Sequence, residues 1–117
     1  MDKKKQILHI EESLERFGGA VDLYKEILAD FSNPEESILE NFKKSLNTKD
    51  YEQLKQQTHK LKGLVGTIGC ELLYDVLKNF EILLKNPHET ELSFAFSEIE
   101  QLFTKTNEAI KQYLAKP

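Results

Sequence analysis

The residues of this chain that could act together chemically lie in one stretch, Thr58-His59-Lys60-Leu61-Lys62-Gly63-Leu64-Val65-Gly66-Thr67-Ile68-Gly69. Read as a helix at about 100° per residue, the apolar row Tyr51, Leu54, Leu61, Val65 and Ile68, with Thr58 filling the gap, marks a buried side. His59 then points away from that row, toward water. Lys55 shares its side one turn before, Lys62 and Gly63 one turn after, and Gly66 two turns after. Glycine inside a helix costs about 0.8–1 kcal/mol relative to alanine, so Gly63 and Gly66 on an exposed face call for a reason. They leave a shallow floor beside the imidazole that another protein could approach closely. Lys62 places a cation near whatever His59 binds, and Lys55 adds a second, looser one.

This arrangement suits attack by neutral imidazole on an activated phosphoryl group. An unperturbed histidine is largely neutral near pH 7 and needs no dedicated base to act as a nucleophile. Charge spreads over the phosphoryl oxygens in the transition state, where the Lys62 ammonium would stabilise it. A histidine among lysines on a polar face is also what ordinary protein surface looks like, and spacing alone leaves both readings open. A di-iron bundle would use Glu-x-x-His pairs. The residues three before His9, His59 and His88 are Gln6, Gln56 and Lys85, so no metal site is expected. His9 and His88 read as boundary or surface residues.

The elements that must position His59 follow from the glycines, prolines and apolar period. A first helix is expected over Lys4 to Phe17, stopped by Gly18-Gly19. A second begins near Ala20 with Tyr24, Ile27, Leu28 and Phe31, and the period resumes with Ile38, Phe42 and Leu46. Ser32-Asn33-Pro34 between them fits a new helix start or a kink; one long, kinked helix is the reading adopted. The His59 helix starts near Asp50. A fourth helix runs from about Cys70 to Lys85, where Asn86-Pro87 ends it, and a fifth from about Glu89 to Ala115. No segment alternates as a strand would. The fold class expected is all-α: an antiparallel four-helix bundle with a short additional N-terminal helix.

The length of 117 residues suits one domain, taken as residues 1–117. Hydrophobic residues at 39% and charged residues at 31% are too many for a disordered chain and a membrane protein respectively. No apolar run reaches a membrane span and no secretory signal follows the basic start, so a cytoplasmic setting is expected. The net charge of -4 argues against nucleic-acid binding. The single cysteine, Cys70, excludes an internal disulfide and reads as a small core residue.

His59-Lys60-Leu61-Lys62-Gly63, followed by Ile68-Gly69-Cys70 and Leu73, resembles the signature of histidine phosphotransfer (HPt) domains. The likeness extends to Phe17-Gly18-Gly19 with Leu23-Tyr24-Lys25-Glu26-Ile27-Leu28, and to Leu77 and Phe80-Glu81, where the family has a Leu-Glu pattern. The resemblance implies a helical bundle in which His59 is phosphorylated on its outer ring nitrogen. It implies that Lys62 steadies the phosphoryl group, that Gly63 lets a receiver domain dock, and that Gly69 is the glycine near the end of the helix. Leu64 and Val65 depart from the serine or alanine common in the family, and Cys70 from alanine. A bulkier floor at Leu64 and Val65 would alter partner choice.

The family passes phosphoryl groups between receiver-domain aspartates, and some members take them from an ATP-binding kinase domain. Receiver domains of response regulators or hybrid histidine kinases are therefore the partners the resemblance implies. The magnesium ion of that reaction belongs to the receiver, so no cofactor is expected on this chain. A kinase would need a nucleotide-binding domain with a glycine-rich lid, for which the chain has no room. Lys60 also stands where kinase dimerisation helices carry an acidic residue. The chain is expected to be a monomeric phosphoryl carrier; Met1 and the fit to one bundle favour a free-standing protein, with a phosphoacceptor fragment of a larger kinase as the alternative. The competing reading is an adaptor that is never phosphorylated and docks its partner through Lys55, His59, Gly63 and Gly66.

Overall fold

A computed structural model describes residues 6–32 and 38–116. Among these the chain forms six helices and no strand: α1 (Ile10–Arg16), α2 (Val21–Phe31), α3 (Ile38–Asn47), α4 (Tyr51–Ile68), α5 (Glu71–Leu83) and α6 (Glu89–Ala115). The kink expected near Asn33-Pro34 lies outside the described residues.

The helix that bears His59 is delimited at both ends by side-chain and backbone chemistry. Asp50 caps α4 by accepting a hydrogen bond from the Gln53 amide at 3.1 Å, satisfying one of the first-turn N–H groups that lack a helical partner. Gly69 ends it at φ +89°, a left-handed conformation that a side chain resists, and the Cys70 amide closes the turn on the Val65 carbonyl. One face of α4 is buried through Leu54, Thr58, Leu61, Val65 and Ile68. Thr58 belongs there because its hydroxyl donates to the Leu54 carbonyl at 2.6 Å, so that hydroxyl is not buried without a partner.

α4 packs mainly on α5, α5 on α6, α3 on α4, and α2 bridges α4 and α6. Gly66 faces Tyr74, and Lys62 bonds Glu81 further along, so α4 and α5 run in opposite directions across a tight turn. The core between them holds Leu54, Val65, Leu73, Leu77 and Phe80 at or near zero exposure. Each such side chain contributes about 1.5–3 kcal/mol relative to exposure. Phe42 of α3 closes the core from the far side, 6.3 Å from Phe80 and 6.4 Å from Phe96. Tyr24 of α2 is fully buried and donates to the Ile68 carbonyl at 2.8 Å, tying α2 to the end of α4.

The first helix is shorter than its apolar period suggests. Gln6 to His9 are not helical, and α1 begins only at Ile10. His9 is committed elsewhere: its amide donates to the Gly69 carbonyl at 2.8 Å, and its ring bonds the Glu71 carboxylate. A Cβ on Gly69 would lie 2.2 Å from Ser13 Oγ and 2.8 Å from the His9 carbonyl oxygen. The N-terminal segment therefore closes directly over the α4–α5 turn.

Candidate functional site

His59 stands midway along α4 with 78% of its side chain exposed. The neighbouring helix supplies its partner: Glu81 of α5 has Oε2 at 3.2 Å from His59 Nδ1. The other carboxylate oxygen, Oε1, accepts from Lys62 Nζ at 2.7 Å. Lys62 and Glu81 are only 17% and 28% exposed, so their link lies largely out of water beneath the exposed ring. Phe80 and Leu61, the neighbours of Glu81 and Lys62 in sequence, are buried. Both charged side chains thus emerge at the same margin of the packed α4–α5 pair.

The electrostatics are coherent. The Lys62 ammonium, helped by His59, holds the Glu81 carboxyl below the usual carboxylate range against the opposing effect of partial burial. Glu81 in turn raises Lys62 above the ordinary lysine value. An ionised carboxylate only accepts hydrogen bonds, so Glu81 favours the imidazole tautomer with its proton on Nδ1. That tautomer leaves a lone pair on Nε2, the ring nitrogen remote from Glu81. The arrangement offers a nucleophile, a cation one turn away, and a carboxylate that compensates the charge a substituted imidazole would carry.

The other residues singled out by spacing fall around this centre. Lys55 is exposed and turns back to Glu52 at 3.6 Å rather than toward Glu81. Gly63 is exposed, and a Cβ there would meet nothing within 4 Å. Gly66 is half-buried because the Tyr74 ring lies against it, with Cδ2 and Cε2 at 3.2 and 3.3 Å from where a Cβ would stand. A groove of about 640 Å³ runs on from Gly63 past Gly66, Thr67 and Tyr74, with Glu12 and Arg16 of α1 on its other side. Leu64 is half-buried and Val65 fully buried. Cys70 is fully buried too, so of the three departures from the family pattern only Leu64 is placed where it could bear on docking.

Spacing on one helix did not reveal Glu81, which entered only through a sequence pattern, and gave no sign of Tyr74. The available signal was a carboxylate directly after a core phenylalanine on the next helix, opposite a lysine directly after a core leucine. No group of three His, Cys, Asp or Glu side chains among the described residues is placed to hold a metal ion. No described helix is long and apolar enough to cross a membrane.

The described residues thus form an all-helical domain with an exposed imidazole on α4 backed by a carboxylate and a lysine. The family model of the Hpt domain matches residues 26–114, and the chain belongs to that family. Hpt domains are phosphocarrier modules of two-component signalling, not kinases, and they interact with receiver domains. The match begins inside α2, so α1 and the turn at 17–19 lie outside it. Comparison with curated proteins and with solved structures gave no match.

Proposed function

We propose that His59 accepts a phosphoryl group from a receiver-domain aspartate, or from a kinase, and passes it to the aspartate of another receiver. The observation that carries this reading is the shared carboxylate: Glu81 bonds His59 Nδ1 and Lys62 Nζ at once. The Nε2 lone pair attacks phosphorus, the N–P bond forms as the P–O bond to aspartate breaks, and the aspartate leaves as a carboxylate. The ring keeps its Nδ1 proton, and the positive charge it gains faces Glu81. Lys62 turns from Glu81 to the phosphoryl oxygens, where charge gathers in the transition state. The reverse steps load the next receiver. Gly63 leaves room for the partner's backbone to come close, and Lys55 lies at the edge of the same face.

In this reading the magnesium ion is carried by the receiver, and the chain brings no cofactor of its own. Residues 1–117 act as one monomeric cytoplasmic domain, with α2 and α3 together forming one member of an antiparallel four-helix bundle and α1 an added cap.

The test mixes the purified protein with a phosphorylated receiver domain and magnesium and follows intact mass under neutral conditions. One acid-labile phosphoryl adduct that maps to His59, and that disappears in His59→Gln, is the expected result. Binding without any adduct across several receivers would instead support an adaptor that docks through Lys55, His59, Gly63 and Gly66.

A further inference from the structure

Lys62 has a second neighbour besides Glu81. Its Nζ lies 6.0 Å from the centroid of the Tyr74 ring, within the range at which an ammonium is attracted to an aromatic face. Tyr74 is half-buried one turn into α5, with its amide on the Cys70 carbonyl. Its ring packs closely against Gly66: a Cβ there would stand 3.2 and 3.3 Å from Cδ2 and Cε2, so the ring would have to shift by a few tenths of an ångström. Tyr74 and Glu81 are seven residues apart, two turns or about 10.5 Å along α5. They bracket the lysine from two sides, the carboxylate by a hydrogen bond and the ring by its face.

The two neighbours differ in what they ask of Lys62 when a phosphoryl group arrives. Glu81 takes one of the ammonium's three donors and draws it toward the carboxylate, so the phosphoryl oxygens must compete with Glu81 for the lysine. The ring accepts no conventional hydrogen bond, so it does not compete for those donors, yet it keeps the ammonium from swinging out into water. We propose that Tyr74 is a positioning residue for phosphoryl transfer. Its ring, packed against Gly66, confines the Lys62 ammonium to the space beside His59, so the transfer rate depends on an aromatic ring at position 74. This rests on the transfer reading given above.

The experiment measures transfer from a phosphorylated receiver at saturating protein, together with receiver affinity, for Tyr74→Leu, Tyr74→Phe and Lys62→Met, and for Tyr74→Leu in the Lys62→Met background. Tyr74→Leu is expected to slow the transfer step by about two- to five-fold, the size of an attraction at a partly exposed site, with receiver affinity unchanged. Tyr74→Phe should keep the wild-type rate. With Lys62 already replaced, Tyr74→Leu should slow transfer no further. An equal loss in both backgrounds would assign Tyr74 a purely structural role and overturn the proposal. A second measurement needs no transfer: the protons on Lys62 Cε should lose an upfield ring-current shift in Tyr74→Leu, and unchanged shifts overturn the proposal. A wild-type chain that takes no phosphoryl group overturns the transfer reading and this one together. Normal transfer by both wild type and Tyr74→Leu overturns this one alone.

Discussion

At the scale of single residues, the proposed transfer turns on Glu81 more than on any feature of His59 itself. A solvent-exposed imidazole samples both tautomers, and only one leaves Nε2 free to attack. Glu81 biases that choice through Nδ1 at 3.2 Å, and it does so while ionised. Because its pKa in the folded chain is depressed, chiefly by Lys62, its contribution to stability is present above the usual carboxylate range. That contribution is lost as the pH falls through the lowered value. Lys62 is raised, so its side of the link holds up to the ordinary lysine range and is lost only as the pH rises through the higher folded value. The Lys62–Glu81 link is therefore intact across the neutral range. Glu81→Gln should slow loading of His59 on the order of ten-fold, equivalent to ~1.4 kcal/mol in the transition state. Nitrogen-detected spectra of the His59 ring should show loss of the Nδ1-protonated preference. A wild-type rate with an unchanged tautomer ratio would remove Glu81 from the mechanism.

At the scale of elements, the α4–α5 pair and its connecting turn hold the site in register, and Gly69 is the residue on which that turn depends. Its φ of +89° and its contact with Ser13 and His9 act together. An alanine there would meet backbone strain of about 1–2 kcal/mol and would also push α1 off the turn. Gly69→Ala should lower the stability measured by urea unfolding by at least ~2 kcal/mol and increase exchange of the His9 amide. Gly63→Ala, with open space above it, should leave stability within about 1 kcal/mol, since alanine favours the helix.

The same comparison shows what was legible in the sequence. The expected start of α4 near Asp50 lies within a residue of Tyr51, and the expected span of α6 matches Glu89–Ala115, because long amphipathic helices carry many independent repeats. The expected start of the first helix at Lys4 lies outside the described residues, but Gln6 to His9 leave the helix because the backbone at His9 is drawn to Gly69, a long-range hydrogen bond that no local pattern records. His59 and Lys62 share one helix and so could be related by spacing. Glu81 and Tyr74 come from another helix, and their relation to His59 depends on how α4 and α5 pack. Gly66 stands out in the sequence as an anomaly, but its close contact with the ring of Tyr74 does not.

At the scale of the whole molecule, one buried thiol makes the cooperativity of the fold measurable. Cys70 is the only cysteine in the sequence and has no solvent exposure. It sits where α4 ends and α5 begins, beside the contacts that fasten α1 and α2 to that turn. Burial pushes its thiol up to about 12, so the reactive thiolate is scarce in the native chain as well as shielded. Modification by a thiol reagent at neutral pH should therefore wait for an opening that separates α4 from α5. Those helices share the central core residues Leu54, Leu73, Leu77 and Phe80, so that opening should be the global one. The expected outcome is negligible labelling in buffer and one modified thiol per chain in urea. The labelling midpoint should coincide with the loss of helical circular dichroism. Labelling that precedes the loss of helix would mean that the α4–α5 turn opens as a local unit. The site would then be carried on a segment less stable than the helices around it.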